Sequence, residues 1–314
     1  MSDVQNTDRA PNVLIPAIGA SSGAPQKTPM YAALNAPRYH RQEIIKKAQL
    51  TDTPLICYIA GIRALISRDD VIGFMEMLHN IKKGTDLDLL LNTPGGDIDT
   101  AEKLISLLHA WVGDDHRLRV IIPDYAKSAG TLMALGASKI IMSDSSELGP
   151  IDPQVVLNDG KGNQIPHSVL HYLQAFDTHS ATLRTQGKAN DVPAVLMLNK
   201  LDPATTKAFQ AVKDRTQKIA DEQLQKWMFK NRTVPYTKIT SDLMDPLKYP
   251  SHGQRIGWQE AQELQLEVDY MDPASEAWRN YWSLYCHQKL AISDRGKLFE
   301  SAYASYIQES ESKY

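Results

Sequence analysis

Apolar residues in the middle of the chain come in two alternating rhythms. Short runs of strand length occur at Leu55 to Ala60, Leu87 to Leu91, Arg119 to Ile122 and Lys139 to Met142. Between them, Asp69 to Ile81 sets Val71, Ile72, Phe74, Met75, Met77 and Leu78 close to helical spacing, and Ile98 to Trp111 continues it through Leu104, Ile105, Leu107 and Leu108. An Ala/Gly-rich helix follows from about Ser128 to Leu135. Strands alternating with helices at this spacing predict βαβ units, a mainly parallel sheet and an α/β class. Functional loops then belong beyond the carboxyl ends of the strands.

The flanks read differently. Residues 1–35 are rich in Ala, Pro, Ser, Asn and Gly without periodicity, which predicts a disordered arm. Residues 36–275 form the predicted main domain, with a helical segment at about 167–245 whose longest helix runs from Ala204 to Phe229 through Phe209, Val212, Ile219, Leu224 and Trp227. Residues 276–314 read as a C-terminal helical extension.

Composition narrows the function classes. Of 314 residues, 42% are apolar and 23% charged, which excludes collagen-like, wholly disordered and disulfide-scaffold proteins. A formal net charge of −3 gives no electrostatic reason to expect nucleic acid or an anionic membrane as partner. Cys57 and Cys286 are too few for a disulfide framework or a thiolate metal site, and they suit a reducing compartment. The histidines show no compact metal-ligand spacing; neither a metal nor an organic cofactor is expected. No run approaches the ~18 apolar residues of a membrane span, and no secretory signal is visible; a cytoplasmic protein is expected.

Two segments sit at strand-to-helix junctions, where unpaired backbone N–H groups face the crevice. Thr93-Pro94-Gly95-Gly96-Asp97 is either a tight turn needing positive φ or, because paired glycines let a carbonyl oxygen approach those donors, part of an oxyanion hole. In Tyr125-Ala126-Lys127-Ser128-Ala129-Gly130-Thr131, Ser128 is either a helix N-cap or a nucleophile at a strained elbow with small neighbours. Each motif alone leaves both readings open.

Together they are more specific. A glycine pair after one strand, a Ser-Ala-Gly about thirty residues later and then Ser146 to Gln154 resemble the Clp protease and signal peptide peptidase A superfamily. The runs LLNTPGGDIDTAE, AKSAGTLMALGASKIIM and SELGPIDPQ are similar to the serine dehydrogenase proteinase family within it, and Ser251 to Met271 resembles the superfamily's closing element, with Gln265 to Val268 in place of its last strand. The resemblance covers roughly residues 40–275. It implies a Clp protease/crotonase-like fold of repeated ββα units with added helices, assembly into a homo-oligomer, and peptide-bond hydrolysis on a peptide or protein substrate. It places the nucleophile at Ser128 and the oxyanion donors at the N–H groups of Gly96, Ala129 and, as a further candidate, Gly95.

The proton acceptor is less directly marked. In Clp proteases a histidine follows the nucleophile by some two dozen residues; here Asp152 stands near that place, and a carboxylate is a poor base for a serine though a good orienter. His252 is the preferred base, because the superfamily chain returns to the site there; His167, His171, Lys188 and Lys200 are reserves. Lys127 is adjacent to Ser128 but is expected to point away. Glu102 and Glu147 invite comparison with the carboxylates of enoyl-coenzyme A hydratases of the same fold, so acyl-coenzyme A hydration or hydrolysis is one alternative and an inactive scaffold subunit is another.

Overall fold

The computed structural model describes residues 28–49, 53–158 and 164–309. Contacts divide the chain into Met1–Pro37 and Arg38–Tyr314. Of the first unit only 28–37 are described, and they are helical from Pro29, where α1 (Pro29–Ala48) begins. That start lies inside the segment expected as a disordered arm; the rest of the expected arm, 1–27, lies outside the described residues.

The second unit is built on a seven-stranded sheet. Strands β1 (Leu55–Ala60), β2 (Leu87–Asn92), β3 (Leu118–Ile121) and β5 (Lys139–Met142) run parallel, as their apolar runs predict. Between them lie α2 (Asp70–Leu78), α3 (Ile98–Val112), the two-residue strand β4 (Tyr125–Ala126) and α4 (Ala129–Leu135). The runs are unbroken because both faces are covered. Ile56, Tyr58, Leu89, Leu91, Val120 and Ile140 enter one apolar cluster with α2, α3 and α4. Leu55, Cys57, Ile59, Leu90, Ile121 and Ile141 alternate into a second cluster on the other face. Asp88, wholly buried in β2, is held by the Arg119 guanidinium of β3 at 2.7 and 2.6 Å.

Beyond β5 come the short β6 (Glu147–Leu148), which pairs with β4, and an antiparallel pair β7 (Gln154–Asn158) and β8 (Gln164–Ser168) that the apolar pattern does not announce. The predicted helical segment follows: α5 (Val169–Arg184), α6 (Val192–Leu198), α7 (Pro203–Gln223) and α8 (Tyr236–Leu243). The expected long helix is α7 continued by a π-helical turn, Leu224–Met228. The chain then returns through α9 (Trp258–Glu263) to β9 (Val268–Tyr270), parallel to β5.

The expected C-terminal helical extension is corrected by the structure. Helix α10 (Glu276–Lys289) packs Trp278, Tyr281 and Leu284 on the second core face, but Gly296–Ser301 forms β10 and Ser305–Glu309 forms β11. Strand β10 runs antiparallel to β1, giving the order β11-β10-β1-β2-β3-β5-β9. Two charges disguise this strand. Lys297 and Glu300 are both buried, each with its own ionic partner, Asp70 and Arg41. The class is therefore α/β with a mainly parallel sheet and added helices, as expected.

Candidate active site

The glycine pair lies just past the carboxyl end of β2. Asp97 caps α3 by accepting from Thr100 N at 2.7 Å, which fixes the loop's downstream end. Upstream, Thr93 bridges to the second junction: its N–H donates to Tyr125 O and its carbonyl accepts from Lys127 N. Buried Asn92 strengthens the tie, accepting from Tyr125 N at 3.0 Å. Gly95 and Gly96 have φ of +100° and +148°. A Cβ on Gly95 would lie 2.9 Å from Ser128 Cβ and 3.3 Å from Ala129 N; one on Gly96 would overlap the Ile66 backbone at 2.4 Å. The two junctions are in contact, and only glycine fits between them.

Ser128 ends the loop before α4 with φ +51° and ψ −115°, and its hydroxyl makes no capping hydrogen bond. The other serine and aspartate caps all have negative φ, and of them Asp97, Ser168, Asp191, Asp202 and Ser275 bond a helix N–H while Asp69 does not. An L-residue in this conformation carries about 1–3 kcal/mol of strain, as at a nucleophile elbow. Ser128 is half-buried, while Ala129 and Gly130 behind it are buried.

The donors differ in availability. Among the described residues no hydrogen bond engages the N–H of Gly96 or of Ala129. Gly95 N–H donates to Thr93 Oγ1 at 3.2 Å, which removes Gly95 from the expected donors. The threonine two residues earlier was the missed signal, since Ser and Thr hydroxyls commonly close such turns.

Asp152 and His252, one hundred residues apart, are neighbours. Asp152 is buried and accepts from Ser168 Oγ at 2.8 Å; its other oxygen lies 3.5 Å from His252 Nδ1, which makes no hydrogen bond of its own. The approach is arranged by strand pairing: Leu148 and Ile256 exchange backbone hydrogen bonds of 2.9 and 3.0 Å, which adds the His252 segment to the β4–β6 ribbon next to Ser128. Thr131 of α4 binds the same loop, donating to Ala126 or Gly149 and accepting from Gly149 N at 3.1 Å.

Lys127, expected to point away from Ser128, has its ammonium engaged by other segments. Its Nζ reaches Leu148 O at 3.0 Å, Gln254 O at 3.2 Å and Glu147 at 3.1 Å. Burial holds its pKa below the ordinary lysine value, against the opposing pull of Glu147. The reserve bases lie on the β8–α7 segment. His167 lies exposed on β8, His171 sits exposed in the first turn of α5 and lines a small cavity with Asp152, and Lys188 and Lys200 are exposed within the α5–α6 and α6–α7 connections. Glu102 is paired with Arg215 and Glu147 with Lys127, so both carboxylates suggestive of hydratase chemistry are engaged by cations. Among the described residues no cluster of His, Cys, Asp or Glu could hold a metal ion, and no helix is long and apolar enough to cross a membrane.

Comparison with known proteins agrees with the motifs. Residues 40–176 match the family of ClpP-like SDH-type serine proteinases, so the resemblance read from the sequence is borne out over this segment. Two uncharacterized proteins of Methanocaldococcus jannaschii are 39% identical over 90 residues and 41% identical over 96; these cover 29% and 30% of this chain and 30% and 31% of theirs. The chain thus spans about a third of the length of the curated relatives it matches. Two solved structures of a membrane-bound stomatin-specific protease, one with a substrate peptide, are 15% and 16% identical, covering 76% and 72% of this chain and 99% and 100% of theirs. Their TM-score of 0.30 is too low to support an argument.

Proposed function

We propose that this chain, which carries the ClpP-like SDH-type serine proteinase sequence over residues 40–176, hydrolyses peptide bonds with Ser128 as nucleophile. The observation that carries the reading is the positive-φ elbow at Ser128, uncapped and in contact with a glycine pair whose second N–H is unengaged. Ser128 Oγ attacks the scissile carbonyl carbon and passes its proton to His252 Nε2, the nitrogen that faces away from Asp152. Asp152 orients the ring through Nδ1. Charge developing on the carbonyl oxygen is taken by the N–H groups of Gly96 and Ala129, each of which contributes about 10²- to 10³-fold in such sites. His252 then returns the proton to the leaving amine, and water hydrolyses the acyl-serine by the same route in reverse.

The same reading includes a peptide or protein substrate, a cytoplasmic setting and self-association. Exposed Val192, Leu196 and Met197 on α6 and the free thiols of Cys57 and Cys286 favour the last two. Sedimentation at micromolar concentration tests assembly: a monomer of 35.1 kDa alone rejects it.

A fluorophosphonate probe tests the chemistry. Wild-type protein forms a covalent adduct, Ser128→Ala forms none, and His252→Ala slows labelling about 10²-fold or more. A wild-type chain that takes no adduct refutes the hydrolase reading.

A further inference from the structure

Among the cavities, buried charge networks and exposed apolar faces of this molecule, one side chain bears directly on the proposed reaction without belonging to it. Lys127 immediately precedes Ser128, yet its ammonium lies among acceptors that come from two other segments. Leu148 O and Glu147 belong to β6, and Gln254 O belongs to the turn that carries His252, with Gly253 O at 3.5 Å. An ammonium has three donors, and Leu148, Gln254 and Glu147 use all three. The stem is equally confined: a Cβ on Gly149 would approach Lys127 Cδ to 2.8 Å, so the aliphatic chain passes where any other residue would obstruct it. Only 12% of the side chain is exposed.

The turn has few other anchors. Gln254 N bonds Ser251 O inside the turn; downstream, the exposed Arg255 side chain reaches Asp144 O at 3.2 Å and Glu147 at 4.0 Å, and the Leu148–Ile256 bridge follows. His252 itself touches Asp152 only at 3.5 Å. Lys127 therefore joins the residue before the nucleophile to the residues just after the histidine, across a single side chain.

We propose that Lys127 is a positioning residue that fixes the His252 turn relative to the Ser128 elbow, and that it is not itself the base. The inference rests on the assignment of His252 as proton acceptor. Misplacing a reacting group by about 1 Å costs on the order of 10²-fold in rate, which sets the scale of the effect.

The test is the pH dependence of the second-order rate constant for fluorophosphonate labelling in wild type, Lys127→Met, Lys127→Arg, His252→Ala and the Lys127→Met/His252→Ala double variant. Expected is a slowing of roughly 10- to 100-fold in Lys127→Met with loss of the wild-type acid limb, and partial recovery in Lys127→Arg. The double variant is expected to label no more slowly than His252→Ala alone, because two residues acting through one proton transfer are not additive. Wild-type rate and pH profile in Lys127→Met, or fully multiplicative losses in the double variant, overturn the proposal. If Lys127→Met fails to fold, Lys127→Arg decides on its own: it keeps the charge but changes the reach, so an unchanged profile counts against positioning. His252→Ala labelling like wild type refutes the parent assignment instead, and with it the role given to Lys127.

Discussion

Lys297, on the penultimate strand, bonds Asp70 at the start of α2 at 2.5 Å, and both groups are buried. Lys297 also donates to Ser67 Oγ at 2.9 Å, while Asp70 accepts from Ser67 N at 3.1 Å and Tyr58 OH at 2.7 Å. Ser67 follows Ile66, whose N–H donates to Gly95 O at 2.7 Å and whose carbonyl accepts from Asp97 N at 3.0 Å. A buried ion pair thus underlies the seat of the glycine pair. Removing one partner strands a charge in the interior, so Lys297→Met is expected to destabilise by about 3 to 5 kcal/mol in urea unfolding, and Lys297→Met with Asp70→Leu by clearly less.

The glycines of that seat are expected to tolerate no side chain. Gly95→Ala and Gly96→Ala each combine a positive φ with overlap on backbone atoms, for an expected loss of about 3 kcal/mol or more and no adduct formation. Gly84 has φ +70° but no neighbouring atom within 4 Å, so Gly84→Ala is expected to cost only about 1 kcal/mol and to leave labelling intact. Thermal midpoints and probe labelling of the three variants check the contrast.

Strain at Ser128 makes a separate prediction. Glycine relaxes the φ of +51° whereas alanine keeps the penalty, so Ser128→Gly is expected to be more stable than Ser128→Ala by about 1 kcal/mol, although both are inert to the probe. Equal midpoints for the two variants would contradict the elbow strain.

His109 sets an acid-stability limit. Its ring stacks on Trp227 at 3.4 Å, Nε2 lies 2.7 Å from Gly136 O, and Nδ1 is buried without a partner. Burial is the main cause that pushes its pKa down from 6.5 to about 4. Because the unfolded chain then binds a proton more readily than the folded one, stability falls as pH drops from about 6.5 toward 4, by up to about 3 kcal/mol. His109→Phe, which keeps an aromatic ring against Trp227, is expected to flatten that part of the stability profile, read from thermal midpoints measured across the window.

The sequence revealed what local chemistry determines. Strands such as Leu55 to Ala60 are legible because burial on both faces leaves an unbroken apolar run, and α3 because Asp97 caps an amphipathic repeat. Strand β10 is hidden by Lys297 and Glu300, whose partners lie more than two hundred residues away in the chain. The motif around Ser128 is readable only beside the glycine pair, since a serine before a helix is usually a cap. The meeting of Asp152 with His252 depends on the Leu148–Ile256 bridge, a long-range pairing that periodicity does not encode. The loss of Gly95 as a donor was written locally, in Thr93, and reading that hydroxyl against its own turn recovers it.

The place of β10 in the sheet has a consequence during synthesis. As the polypeptide leaves the ribosome, β1 emerges some two hundred and forty residues before the segment that covers its outer edge, and Asp70 waits equally long for its lysine. Until that late strand docks, the nascent chain presents an unpaired edge on β1 and an uncompensated Asp70 beneath the glycine loop, so the candidate site is completed only after residues 296–301 have been translated.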